Sequence, residues 1–184
     1  MTVSVAGGNS REVTLTQFAA GSGGDTKGIY TSMSQFIPAS TSTTDRYYPS
    51  NSTIDGQPAT GFKLGTSSLA GVFTSEALGA SLTGDKNLSF YAVAWTGKAA
   101  TVYIRVNNGG AVSGDGSHAI TASAGAAGSG NDFTFTDVTD SDYYTFQLTG
   151  LTAASTVTIS TSPDFTAASD RNTGRAIVLG VQVY

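Results

Sequence analysis

The chain has 184 residues, of which 23 are Gly, one is His and none is Cys; charged residues make up 12% and the formal net charge is −4. Without Cys there is no disulfide framework, thiolate zinc site or Cys nucleophile. Nine scattered Lys and Arg give no basic stripe for nucleic acid, and no run approaches the roughly 18 apolar residues that a membrane-spanning helix needs.

The length suits one domain, 1–184, with a core of its own. It opens Met1-Thr-Val-Ser-Val-Ala-Gly-Gly, with neither the basic nor the apolar region of a secretion signal. The expectation is therefore a mature secreted domain, or a protein released when its host lyses. Val3–Val5 and Val13–Phe18 read as strands parted by the turn Gly7-Gly8-Asn9, and residues 1–12 as an N-terminal arm. From Gly21 to Asp55, rich in Ser, Thr and Gly, the pattern predicts loops with short edge strands at Ile29–Tyr30 and Gln35–Ile37. Arg46, Tyr47 and Tyr48 fall in that loop region. Thr60–Leu64 reads as a strand, and Ser67–Leu78 is the one stretch suited to a helical turn, since Ala, Leu and Glu76 cluster there without Pro.

The signal sharpens at residue 88. Leu88, Phe90, Ala92 and Ala94 alternate with Tyr91, Val93 and Trp95, which predicts a strand covered on both faces. Thr101–Asn107 alternates likewise, and the five residues between the two runs predict a β-hairpin. Residues 108–132 form a long Gly-, Ala- and Ser-rich loop with one short strand near Ala119–Thr121. Phe133–Val138, Tyr143–Leu148, Thr156–Ser160 and Ala176–Tyr184 complete the strands.

Many short strands separated by turn residues, with almost no helix, predict an all-β protein: a single antiparallel β-sandwich. The succession of Leu88–Trp95, Thr101–Val106, Tyr143–Leu148, Thr156–Ile159 and the closing Arg175-Ala-Ile-Val-Leu-Gly-Val-Gln-Val resembles the second half of galactose-binding-like jelly rolls, which occur in phage virion proteins and in carbohydrate-binding modules. The resemblance covers about half of the chain, and it implies a jelly-roll sandwich.

Little in the sequence points to catalysis. Asp115, Ser117 and His118 lie too close together in one Gly-rich stretch to be a triad assembled by a fold. The acids are all Asp except Glu12 and Glu76, as expected where carboxylates serve turns. The densest cluster, Asp137, Asp140 and Asp142, has the hard oxygens that a structural Ca²⁺ would take; but turn formation accounts for it without a ligand, and no other cofactor is expected. Aromatics make the best case for binding. Tyr47 and Tyr48, with Arg46 beside them, and Trp95 at a strand end are the candidates for a flat surface against a sugar ring.

The expected function is non-enzymatic. The first reading is a bacteriophage virion structural protein, a capsid decoration (cement) subunit or a small tail- or fibre-associated one. It would sit on the virion surface against the major capsid or tail protein and copies of itself, with surface glycans as a further partner. The alternative is a carbohydrate-binding module or adhesin domain of a secreted bacterial protein. Neither reading involves nucleic acid or a membrane.

Overall fold

A computed structural model of the chain describes residues 32–54, 58–95, 99–120, 142–168 and 175–184 in full, and the backbone of Gln57. It also gives the backbone of the short strands β1 (Thr2–Val5), β2 (Arg11–Thr14), β3 (Ala19–Ala20), β4 (Thr26–Lys27), β12 (Ala127–Ser129) and β13 (Asp132–Thr134). The other strands are β5 (Tyr47–Ile54), β6 (Gln57–Leu64), β7 (Val72–Thr74), β8 (Gly84–Ala94), β9 (Ala100–Asn107), β10 (Ala111–Val112), β11 (Ser117–Ile120), β14 (Tyr143–Leu151), β15 (Thr156–Ser160) and β16 (Ala176–Val183). The molecule is an all-β sandwich. Its larger sheet has the antiparallel order β10-β14-β8-β16-β6-β5, extended past β5 by β13 and β12; the smaller has the order β11-β9-β15-β7. The strands β1 and β2 form a separate antiparallel pair, as do β3 and β4.

The pairing is nested. β6 lies against β16, β7 against β15, β8 against β14 and β9 against β11. Contacts of β16 with β8 and of β15 with β9 then knit these four pairs into two sheets. Consecutive strands β6, β7, β8 and β9 therefore alternate between sheets, which corrects the expected hairpin of Leu88–Trp95 with Thr101–Asn107. Five residues suffice to cross the roughly 10 Å between stacked sheets, so a short connection does not by itself mean pairing. A hairpin does form between β5 and β6, in register from Tyr47↔Leu64 to Ile54↔Gln57.

Alternation along the strands sorts the side chains into two clusters. The main core lies between the sheets and takes Phe62, Leu64, Leu88, Phe90, Val102, Ile104, Val157, Ile159 and Val178. Phe73 of β7 stacks on Phe62 with ring centroids 4.3 Å apart, and Phe90 stacks on Phe146 at 5.7 Å. On the opposite face of the larger sheet, Ile54, Ala59, Tyr91, Val93, Ile177 and Leu179 form a second buried cluster flanked by Trp95 and Tyr143. The two faces expected for Leu88–Trp95 are those observed.

Two glycine bulges keep this sorting intact. A regular strand through Val178 would turn Gln182 inward and Val181 and Val183 outward. The extra residue at Gly180 (φ 59°), where the register with β8 shifts, resets the alternation so that both valines enter the core. Gly150 (φ 63°) does the same in β14, allowing Leu148 and Leu151 both to face inward. Beside the first bulge, the Ser32 hydroxyl donates to the Thr60 carbonyl (2.8 Å) and accepts from the Val181 N–H (3.3 Å). The Met33 N–H donates to the Val181 carbonyl (2.9 Å).

Several local expectations change. Gln35–Ile37, read as an edge strand, overlaps a 3₁₀ turn at Ser34–Phe36 that buries Phe36. Ser67–Leu78, read as a helical turn, instead contains β7, and a 3₁₀ turn follows at Ala80–Leu82. The stretch 108–132 carries β10, β11 and β12. Ile29–Tyr30, residues 15–18 of the second predicted strand and residues 135–138 of Phe133–Val138 lie outside the described residues.

Candidate functional site

The structure moves Tyr47 and Tyr48 from the expected loop into β5, where adjacent side chains point to opposite faces. Tyr47 turns toward the main core and meets Phe73 edge-on at 5.2 Å. Tyr48 is on the other face. Arg46 sits just before the strand with a left-handed backbone (φ 58°); its carbonyl accepts from the Gly65 N–H (2.8 Å), and its Nε is buried without a hydrogen-bond partner among the described residues. The sequence placed these three residues together as one binding patch. The strand separates Tyr48 from Tyr47.

Tyr48 instead joins residues that are remote in sequence. It pairs in register with Lys63 of β6, which pairs with Ile177 of β16, which pairs with Val93 of β8. Two residues from Ile177 and Val93, just past the ends of β16 and β8, lie Arg175 and Trp95, tied by a hydrogen bond from the Trp95 N–H to the Arg175 carbonyl (2.8 Å). The Lys63 Nζ stands 4.4 Å from the centre of the Tyr48 ring and 5.3 Å from that of Trp95; the Arg175 Cζ lies 4.7 Å from the Trp95 ring. The four side chains are all half-buried and form one platform at the end of the second apolar cluster.

Burial is the larger influence on the two cations of the platform. Burial, and then the neighbouring Arg175 cation, lower the pKa of Lys63 from the ordinary lysine value. Burial lowers that of Arg175 as well. The aromatic faces offset part of this, since an indole or phenol ring attracts a cation at these distances. Sequence reading found Tyr48 and Trp95 from their residue type. It missed Lys63 and Arg175, which look like two of the scattered cations until strand pairing sets them beside the rings.

Of the acidic cluster, Asp137 and Asp140 lie outside the described residues, while Asp142 is half-buried and adds to the upward shift of the Tyr144 pKa. Among the described residues no group of three His, Asp or Glu side chains is close enough to hold a metal ion. His118 is on β11 and not in a loop, and it stays exposed, with its ring 4.5 Å from that of Tyr144. Asp115 accepts from the Ser117 N–H at 2.8 Å, the bond of a turn-forming aspartate. A cleft of about 290 Å³ opens there, lined by Arg105, Val106, Val112 and Asp115.

No family model matches the chain, and comparison with curated proteins and with solved structures gives no match.

Proposed function

We propose that this protein is a non-enzymatic structural component of a bacteriophage virion, either a capsid decoration subunit or a small tail- or fibre-associated one. The observation that carries this reading is the nested strand order. The pairs β6–β16, β7–β15, β8–β14 and β9–β11 are nested like a long hairpin rolled into a sandwich, which supports a jelly-roll reading. That plan recurs in viral capsid and lectin domains, so the support is by architectural analogy. A chain low in charge and without Cys also suits a rigid shell element joined by shape. Its partners in this reading are the major capsid or tail protein and further copies of itself.

A second reading, a carbohydrate-binding module or adhesin domain, is favoured by the platform of Tyr48, Lys63, Trp95 and Arg175. The two are compatible, because many weak sugar contacts on one particle add up by avidity. The deciding measurement is the mass of the native particle, by sedimentation and light scattering on material from the natural source. A trimeric or larger assembly that travels with virions is the expected outcome. A free monomer in the medium would overturn the virion reading and leave the binding module.

A further inference from the structure

We infer that the outer edge of β11 pairs with the same edge of a second copy of this chain, joining two of the smaller sheets across a two-fold axis. This rests on the part of the virion reading that makes copies of the protein its partners, and it names a surface through which two of them meet.

The ends of the two sheets are treated unequally. The larger sheet stops at β10 and β12, strands of two and three residues that present little edge. At β7, the far end of the smaller sheet, other parts of the chain cross the free side. There the Val72 N–H donates to the Asp45 carbonyl (2.8 Å), and just beyond the strand the Glu76 N–H donates to the Gln35 carbonyl (3.3 Å). β11 has no such cover among the described residues. Its pairing with β9 runs from Ser117↔Tyr103 to Ile120↔Ala100 without a shift, so no bulge turns the edge aside. Ser117, His118, Ala119 and Ile120 also include neither Lys nor Pro, the residues that commonly blunt an exposed edge.

The phase of the ladder decides which backbone groups are on offer. The Ile104 N–H donates to the Gly116 carbonyl (2.7 Å), and in an antiparallel pair such bonded positions recur at every second residue. Gly116, His118 and Ile120 therefore turn their backbone groups to β9, while Ser117 and Ala119 turn theirs outward. The Ser117 N–H is held by the Asp115 carboxylate (2.8 Å). The N–H and C=O of Ala119 have no partner among the described residues, and His118 and Ala119 are exposed, so the edge can be reached.

A second β11 fits this edge. Turned antiparallel, it brings the same outward donor and acceptor, so each finds its complement and the contact closes on itself as a two-fold interface. The small, neutral side chains of Ser117 and Ala119 set no like charges opposite each other at the roughly 4.8 Å between paired strands. The ladder is short, which suits an assembly in which many copies repeat it and weak contacts add up.

The test is sedimentation velocity of the full chain from about 1 to about 300 µM, the range in which a weak interface is read, with two variants. Ala119→Pro removes the outward N–H without touching a bond to β9, and Pro is tolerated on the open side of an edge strand. Ala119→Lys places a charge on the edge and serves where the Pro variant does not fold. The expected result is a monomer–dimer equilibrium for the unaltered chain, with its dissociation constant raised about tenfold or more by each folded variant. A monomer at every concentration would overturn the inference and leave the virion reading, which the mass of the native particle decides separately. A dimer that either folded variant keeps at full strength would overturn it as well, because the contact would then lie on another surface.

Discussion

Tyr144 shows how one position responds to its surroundings. Its ring lies 4.5 Å from that of His118 and 6.4 Å from that of Phe90, and burial followed by the charge of Asp142 raises its pKa above the ordinary tyrosine value of 10.0. In the unfolded chain this phenol ionises first, while the folded form keeps its proton. The resulting stability is full below the unfolded value and is lost as pH rises through the raised folded one. Urea midpoints measured from about pH 9 to about pH 11 should therefore fall less steeply for Tyr144→Phe than for the native chain; parallel curves would contradict the shift. At this scale residue type alone singled out Tyr48 and Trp95, and the structure adds only that cations lie over their rings. The sequence was not readable where a role depends on neighbours, because residues 48, 63, 95 and 175 meet only through strand registers that no local pattern encodes.

Strands raise a different question, namely what each glycine does for the element that contains it. Gly180 and Gly61 come close to the same stretch of β16 but for unlike reasons. A Cβ on Gly180 would meet only ordinary contacts, 3.6 Å from Tyr91 and 3.7 Å from Ile54, so Gly180→Ala carries just the left-handed backbone penalty of about 1–2 kcal/mol. A Cβ on Gly61 would lie 1.9 Å from the Val178 carbonyl oxygen, and the two central strands would have to separate. Gly61→Ala should thus cost more than about 3 kcal/mol, beyond the usual range for overpacking. Denaturant unfolding of the two variants checks the order, and a Gly61 variant as stable as the Gly180 one would refute the close approach. Strand existence was legible from alternation in β8, β9, β14, β15 and β16. Pairing was not: the β5–β6 hairpin went unseen although Asp55-Gly56, a strong two-residue turn signal, separates its strands, while the five residues after Trp95 looked like a hairpin and cross between sheets instead.

For the molecule as a whole, the nested order puts the final strand in the structural centre. β16 lies between β8 and β6 and, among the described residues, is the only strand that joins the β5–β6 hairpin to the β14–β8 pair within the larger sheet. Seven of its eight residues are buried, with side chains feeding both the main core and the outer cluster. The backbone of Tyr184 then closes the strand with two bonds to Asn87 (2.8 and 3.0 Å). Until this segment docks, neither core has its middle, and the contacts it makes span most of the chain. Folding should accordingly be slow for the size, in the millisecond-to-second range of sandwiches dominated by non-local pairing. A chain ending at Arg175 should show no cooperative thermal transition, and a synthetic peptide of residues 176–184 added in trans should restore one in proportion to its concentration, because binding only the folded form shifts the equilibrium by mass action. A truncated chain that still melted cooperatively would mean that the two halves of the larger sheet hold together without their central strand, contrary to the role that its position and burial give it.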